Sequence, residues 1–206
     1  MTDFPASGFD EWAANYDRSV SDWQAFPFTG YGDVLETIFR LAGPRPGLSV
    51  LDLGTGTGNL SLLFAEAGCD VWCTDFSEPM LAKARQKLPN AHFTIHDLRT
   101  PLPSEFKRSF DRIVSAYVFH HFVLEEKVRV LSGLLPYLAP GGQMLLGDIA
   151  FPHQSALEQV KADVGDDWDD EYYWLADKSV RALENAGFKV EYSQVSTCAG
   201  VLNLWV

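Results

Sequence analysis

Short apolar runs alternate with amphipathic helical patterns along most of this chain. From position 48 the apolar runs predict five strands, and 3.6-residue periodicity predicts helices between them. The strands are predicted near 48–53, 70–75, 91–96, 111–117 and 142–149, and the helices near 59–67, 78–88 and 124–138. This alternation is typical of an α/β protein whose parallel sheet is crossed by helices.

The C-terminal end departs from that alternation. A helix is predicted from Ser179 to Ala186 and is ended by Gly187. Two strands, Phe188–Ser193 and Val201–Val206, follow with no room for a helix between them. Because a short turn joins them, we expect an antiparallel hairpin at the end of the sheet.

Two helical patterns precede the first strand. Apolar residues share one face in each: Phe9, Trp12, Ala13 and Tyr16, then Val34, Leu35, Ile38, Leu41 and Ala42. We expect a single domain over 1–206, with an N-terminal helical cap over 1–47 and the core over 48–206. Within the core, 151–178 is predicted to cover the substrate.

The first strand is followed at once by a glycine turn and a helix. It ends at Asp52, and the glycines then alternate with other residues: Gly54, Gly56 and Gly58. Such a turn lays a nucleotide-like ligand against a helix N-terminus, and glycine permits the close approach that a Cβ would block. A dinucleotide fingerprint requires a third glycine at position 59, where Asn59 stands. The spacing therefore disfavours an NAD-dependent oxidoreductase.

Acidic residues also end the next two predicted strands, at Asp75 and Asp97. Open α/β sheets bind ligands at the carboxyl ends of their strands, so the three acids are predicted to share one site. Together with the Leu138–Gly142 turn, these motifs resemble those of class I S-adenosylmethionine (SAM) dependent methyltransferases in order and spacing. The resemblance implies a Rossmann-like, seven-stranded mixed sheet of order 3-2-1-4-5-7-6, with strand 7 antiparallel and helices on both faces.

The resemblance also implies S-adenosyl-L-methionine as the cofactor and a role for each acid. Asp52 is predicted at the ammonium end, Asp75 at the ribose hydroxyls and Asp97 at the adenine amino group. The other implied cofactor contacts are Gly54, Gly56, Gly58, Phe76, Leu98, Ser115, Tyr16 and Tyr31. Residues 9–17 are similar to the opening of ubiquinone/menaquinone-biosynthesis-like methyltransferases, and 26–31 resemble a subgroup of bacterial enzymes.

Methyl transfer from a sulfonium needs a protein base only if the acceptor must lose a proton. Residues just after the fourth strand, His120 and Tyr117, are the predicted catalytic residues, with a histidine that merely packs beneath the sheet edge as the alternative. We predict no metal site, because adjacent histidines such as His120 and His121 rarely ligate one ion and no third ligand is recognisable.

Composition narrows the class of molecule that can accept the methyl group. The 206 residues carry a formal net charge of −12 and no long basic cluster, which argues against nucleic acid and an anionic membrane. The fourth strand also lacks the Asn/Asp-Pro-Pro-Tyr motif of many nucleic-acid methyltransferases. We therefore predict a small-molecule methyl acceptor. Acids interleaved with aromatic residues over 165–174 suggest an amine, with a solvated charged face as the alternative.

The remaining expectations concern location and activity. Three cysteines without disulfide or metal-site spacing, together with no leader or membrane span, predict a cytoplasmic protein. We expect a monomer or a homodimer. A SAM-binding sensor or partner subunit that has lost catalysis has the same cofactor motifs, so it stays as an alternative to the enzyme.

Overall fold

The computed structural model describes residues 17, 25–103, 106 and 109–206. Its strands are β1 (Ser49–Leu53), β2 (Asp70–Asp75), β3 (His92–Ile95), β4 (Phe110–Ala116), β5 (Leu138–Phe151), β6 (Trp174–Leu175), β7 (Lys189–Gln194) and β8 (Ala199–Trp205). They form one sheet of order β3-β2-β1-β4-β5-β8-β7, with β6 beside β5. Only β8 runs antiparallel to its neighbours. The predicted fold class is confirmed, and the two-residue β6 is an addition that the pattern did not predict.

Six helices of the described residues flank this sheet. They are α1 (Tyr31–Ala42), α2 (Asn59–Glu66), α3 (Glu78–Lys87), α4 (Leu124–Leu134), α5 (Gln154–Val164) and α6 (Ala176–Asn185). The start of α3 follows from its sequence, because the Ser77 hydroxyl accepts from the Met80 amide and Pro79 stands in the first turn. No helix in the described ranges is long and apolar enough to cross a membrane.

The two faces of the sheet bury different side chains of each strand. In β1, Val50 and Asp52 point towards the layer of α1 and α2, whereas Leu51 and Leu53 point towards the layer of α4 and α6. All four side chains are at most 1% exposed. A strand buried on both faces accounts for the nearly continuous apolar run that predicted it.

Helix α1 packs directly on the centre of the sheet. A Cβ at Gly147 of β5 would lie 2.3 Å from Cγ1 of Val34 and 2.7 Å from Cδ1 of Ile38, so glycine is what lets the helix approach. The second helix of the predicted cap over 1–47 therefore packs on the core, whereas the division into a cap and a core stays a prediction. The first half, including Tyr16, lies outside the described residues except for Asp17.

The predicted Pro-Gly-Gly turn lies inside β5. Phe110 pairs with Leu138, and Arg112 already pairs with Gln143, so the extra residues of β5 form an irregularity there. Gly141, with φ 74°, supplies the left-handed conformation that this excursion requires.

Candidate cofactor and acceptor site

The three glycines after β1 have different neighbours. All have a positive φ, of 67° at Gly54, 56° at Gly56 and 88° at Gly58. A Cβ at Gly54 would lie 2.4 Å from a methyl of Val118, and one at Gly58 would lie 2.9 Å from a methyl of Leu88. A Cβ at Gly56 would meet no described atom within 4 Å. Gly54 and Gly58 therefore serve packing, whereas Gly56 borders open space that a ligand can enter.

Asp75, at the end of β2, holds the glycine turn in place. Its two carboxylate oxygens accept from the amides of Gly56 and Ser77, each at 2.8 Å. The residue is 7% exposed. A carboxylate offers about four acceptor positions, and these two backbone bonds leave positions for two ribose hydroxyls. The predicted ribose acceptor thus lies beside the open space at Gly56.

Apolar side chains stand exposed beside this acid. Phe76 is 40% exposed, and Ile95, which pairs with Asp75 in the sheet register, is 57% exposed. Leu98 is half-buried, and the exposed Asp97 accepts from the Arg99 amide at 2.9 Å. An exposed apolar surface next to carboxylates fits an adenine ring with its amino group. Sequence reasoning missed Ile95, although its position at the end of the third apolar run was a usable signal.

Asp52 lies beneath the glycine turn. Its carboxylate accepts from the Ser61 hydroxyl at 2.6 Å, and the residue is 1% exposed. Burial, together with the nearby charge of Asp75, raises the pKa of Asp52 to about 7, although bonds from Ser61 and Thr55 oppose the shift. Ser115 is equally buried and donates to the Leu53 carbonyl at 2.7 Å, which ties β4 to β1.

A polar network connects the N-terminal region to the glycine turn. Asp17 accepts from the Thr57 hydroxyl and pairs with Nζ of Lys87 at 2.7 Å. Lys87 also donates to Asn59 at 2.7 Å, and the Asn59 amide donates to the Tyr31 hydroxyl at 3.3 Å. Burial opposes ionisation of Asp17, but bonds from Lys87 and Thr57 prevail and lower its pKa. Asn59, which argues against a dinucleotide site, thus links this network to Tyr31, a predicted cofactor contact.

Tyr117 has an unusual backbone and an unpaired hydroxyl. It is the only described non-glycine residue with positive φ, 57°, and it follows β4 directly. Its hydroxyl is buried without a hydrogen-bond partner among the described residues, and burial raises its pKa. Its ring packs against Tyr31 and Phe28, with centroids 5.2 and 5.6 Å away. Backbone strain and an unsatisfied buried hydroxyl together are typical of a functional position.

His120 lies in a buried polar cluster. Its Nδ1 is 2.6 Å from Oδ1 of Asp148, which also accepts from the Ile149 amide, while Oδ2 accepts from the Trp174 indole at 3.2 Å. Burial lowers the pKa of His120, but Asp148 and Glu171 prevail and raise it. The structure therefore gives the predicted catalytic histidine an orienting carboxylate that the sequence did not reveal.

Glu171 approaches both histidines. Its carboxylate oxygens lie 3.7 Å from Nε2 of His120 and 3.1 Å from Nδ1 of His121. The three residues can each place one ligand atom within 4.8 Å of the others. No third ligand was recognisable from the sequence, because fifty positions separate Glu171 from His121 along the chain.

The segment 165–174 separates its aromatic rings from most of its acids. Trp168 stacks on Phe26 at 4.7 Å, and Trp174 is fully buried. Asp166, Asp167, Asp169 and Asp170 are exposed, and Asp170 pairs with Lys161 at 2.6 Å. Because Nζ of Lys161 also lies 5.6 Å from the Trp168 ring, a cation of the protein already occupies the contact proposed for an amine.

Comparisons with known proteins agree with this geometry. A family model described as a methyltransferase domain matches residues 50–142. An uncharacterized methyltransferase of Geobacillus sp. (strain WCH70) is 33% identical over 207 residues, covering 94% of each chain. One from Bacillus cereus (strain ATCC 10987 / NRS 248) is 33% identical over 199 residues, covering 91% of each.

Solved structures show the same fold. Magnesium protoporphyrin IX methyltransferase from Synechocystis PCC 6803, with bound S-adenosylhomocysteine (SAH), has a TM-score of 0.74 at 24% identity and covers 98% of this chain and 95% of its own. The DhpI–SAH complex has a TM-score of 0.73 at 19% identity, covering 97% and 94%. Because relatives one third identical span nearly the whole sequence, and the sheet edge fits the cofactor, this chain belongs to the class I SAM-dependent methyltransferases.

Proposed function

We propose that this methyltransferase acts on a small molecule that binds beside Tyr117. The observation that carries the proposal is the buried Tyr117 hydroxyl at the carboxyl end of β4, which has no hydrogen-bond partner within the described part of the chain. A buried hydroxyl without a partner costs about 1–3 kcal/mol, and a polar group of an acceptor would remove that cost. Its close aromatic neighbours Phe28 and Tyr31 suit a compact ligand.

Charge supports a small acceptor over nucleic acid. The chain has a net charge of −12, and carboxylates of Asp75, Asp97 and Glu171 lie near the edge where ligands bind. A polyphosphate would be repelled there. The Synechocystis neighbour, a magnesium protoporphyrin IX methyltransferase, also points to a small acceptor in a protein of this fold.

The proposed roles follow from the contacts. SAM supplies an activated methyl group, so the protein mainly has to hold the acceptor in line with it. Tyr117 donates a hydrogen bond to the acceptor, and Nε2 of His120 accepts a proton where the acceptor must lose one. Asp148 accepts from Nδ1 of His120 and so leaves Nε2 as the basic atom. Phe76, Ile95 and Leu98 cover the adenine, with Asp75 at the ribose.

An acceptor screen tests this proposal. Purified protein is incubated with SAM and a metabolite pool, and SAH formation and methylated products are measured by mass spectrometry. Turnover of a small molecule supports the proposal, whereas SAM binding without any turnover favours the silent SAM-binding module. Products found only with RNA, DNA or protein would contradict the small-molecule acceptor.

Variants then test the individual roles. Tyr117→Phe should weaken acceptor binding about tenfold, which is the loss of one buried hydrogen bond, and leave SAM affinity unchanged. Tyr137→Phe is the matched control, since Tyr137 lies in the turn before β5. His120→Ala should impair turnover more than SAM binding in kinetics and calorimetry, with His92→Ala, half-exposed at the start of β3, as control. Equal losses of turnover and SAM binding would contradict the base assignment.

The cytoplasm is the proposed location. Cys69, Cys73 and Cys198 are all free thiols, and two of them are buried. Unpaired thiols are typical of a reducing compartment. Fluorescence microscopy of a tagged chain tests the location, and sedimentation tests the predicted monomer or homodimer.

A further inference from the structure

We infer that His120, His121 and Glu171 form a binding site for one divalent transition-metal ion of the zinc type. The three residues come from two segments. Both histidines lie in the 3₁₀ turn Phe119–His121 after β4, and Glu171 lies in the segment before β6. Their side chains are 9%, 29% and 18% exposed, so the site is partly shielded yet reachable from solvent. Two histidines and one glutamate are also the protein ligands of known catalytic zinc sites.

The distances suit tetrahedral coordination. Metal–ligand bonds of about 2.0–2.1 Å place neighbouring ligand atoms of a tetrahedron about 3.4 Å apart. The Glu171 oxygens lie 3.7 Å from Nε2 of His120 and 3.1 Å from Nδ1 of His121, on either side of that value. The two imidazole centroids are 4.1 Å apart and tilted by 55°, and the three ligand atoms all lie within 4.8 Å of one another.

The hydrogen bonds of Asp148 independently favour a cation here. Its Oδ1 accepts from the Ile149 amide and its Oδ2 from the Trp174 indole, so it acts as an ionised acceptor. His120 must therefore donate from Nδ1, and its Nε2 presents a lone pair. That lone pair faces the Glu171 carboxylate, a second acceptor, so the arrangement is favourable when a proton or a metal ion lies between the two atoms. A carboxylate behind a ligating histidine is the usual outer-shell partner in zinc sites.

The local charges leave room for a metal ion with an anionic ligand. Asp148 and Glu171 supply two negative charges, and Lys127 supplies one positive charge within the cluster. Lys127 is held away from the histidines, since its Nζ donates to the Tyr172 carbonyl and lies 4.2 Å from the Trp174 ring. A divalent ion would leave one positive charge, which a hydroxide or a deprotonated acceptor in the fourth position would balance.

A cleft borders the glutamate of this site. It has a volume of about 320 Å³, and its lining includes Glu171, Tyr173 and Leu157 but neither histidine. A small ligand in this cleft would therefore reach the site from the side of Glu171. The metal site deepens the proposed function, and it rests on that function only for the identity of the acceptor. A bound ion would use Nε2 of His120 as a ligand and would favour an acceptor with a hydroxyl or thiol group.

Calorimetry with zinc tests the site itself. Untagged protein is freed of metal by dialysis against a chelator and titrated with zinc chloride, beside Glu171→Gln and His121→Ala. We expect one ion per chain with micromolar or tighter affinity, and at least about 100-fold weaker binding in both variants. The control is Glu184→Gln, which removes an exposed carboxylate of α6 and should bind as the wild type does. No stoichiometric binding, or equal binding by Glu171→Gln, would overturn the inference.

Two further measurements keep the result interpretable. Circular dichroism shows whether each variant folds, and if His121→Ala does not, cobalt(II) bound to the wild type gives the answer. Visible bands typical of a four-coordinate nitrogen and oxygen site support the inference, while a sulfur charge-transfer band would place the ion at a cysteine instead and overturn it. SAM affinity should be unchanged in Glu171→Gln, so a failed metal site and a failed cofactor site are distinguishable.

Discussion

Replacing Asp52 by asparagine should make the ligand-free protein more stable at neutral and alkaline pH. The wild-type carboxyl is 1% exposed and accepts from the Ser61 hydroxyl at 2.6 Å. Burial and the charge of Asp75 raise its pKa from 3.8 to about 7. Ionising it in the folded protein is therefore unfavourable, and Asp52→Asn removes the charge while keeping an oxygen that can accept from Ser61.

The size of the effect follows from linkage between protonation and folding. Because the folded state binds the Asp52 proton more tightly than the unfolded state, this group stabilises the fold below pH 3.8 relative to higher pH. That contribution is lost as the pH rises towards about 7. A shift from 3.8 to about 7, at 1.36 kcal/mol per unit, corresponds to about 4 kcal/mol. Between pH 5 and 8, the stability advantage of the variant should grow by about 2–3 kcal/mol.

Urea unfolding at pH 5, 6, 7 and 8, followed by circular dichroism, measures this difference. Glu184→Gln, which removes one exposed negative charge from α6, is the matched control and should show a nearly constant offset. A constant difference between Asp52→Asn and the wild type across the range would refute the reasoning. The same variant should bind SAM more weakly if the carboxylate serves the ammonium group, as the sequence predicts.

Two further substitutions test the glycine turn and the N-terminal contact. Gly56→Ala should reduce SAM affinity at least about tenfold with a stability loss of only about 1–2 kcal/mol, since its Cβ enters open space. Gly58→Ala, whose Cβ would lie 2.9 Å from Leu88, should mainly lower the melting temperature. If Gly58→Ala weakened SAM binding more than Gly56→Ala did, the assignment of Gly56 to the ligand and Gly58 to packing would be excluded. Lys87→Met removes the half-exposed ion pair with Asp17, which is worth about 0.5–1 kcal/mol, and should speed SAM dissociation in stopped-flow measurements. The exposed control Lys189→Met should leave the dissociation rate unchanged. An unchanged rate in Lys87→Met would count against a role of this ion pair in SAM binding.

The sequence predicted those parts of the protein that local rules govern. The strand–glycine–helix unit around Asp52, the helix near 78–88 and the final antiparallel hairpin all appeared where they were predicted. Each depends on residues close together along the chain, through strand periodicity, positive φ or a capping hydroxyl. Ligands of open α/β sheets bind at the carboxyl ends of the strands, and this rule correctly predicted that Asp75 lies beside the glycine turn.

Other features depend on contacts between distant segments. Nothing in the pattern of α1 separates a cap from a core layer; the glycine at position 147, far along the chain, decides it by admitting Val34 and Ile38. Likewise, Asp70 and Asp52 are both acids in predicted strands, but only Asp52 points into a buried layer, where its pKa rises. A side chain's environment is a sum over neighbours that the local sequence does not specify.

The sequence by itself determined the cofactor, and the tertiary structure decided which distant residues meet at the proposed acceptor site. SAM recognition lies in short motifs whose glycines and acids act within a few residues of a strand end. The cluster of His120, Asp148 and Glu171 instead joins three separate segments, and its chemistry exists only at distances of 2.6 and 3.7 Å. Hydrogen bonding and metal coordination fall off within about one ångström, so only the folded chain could show that these groups meet.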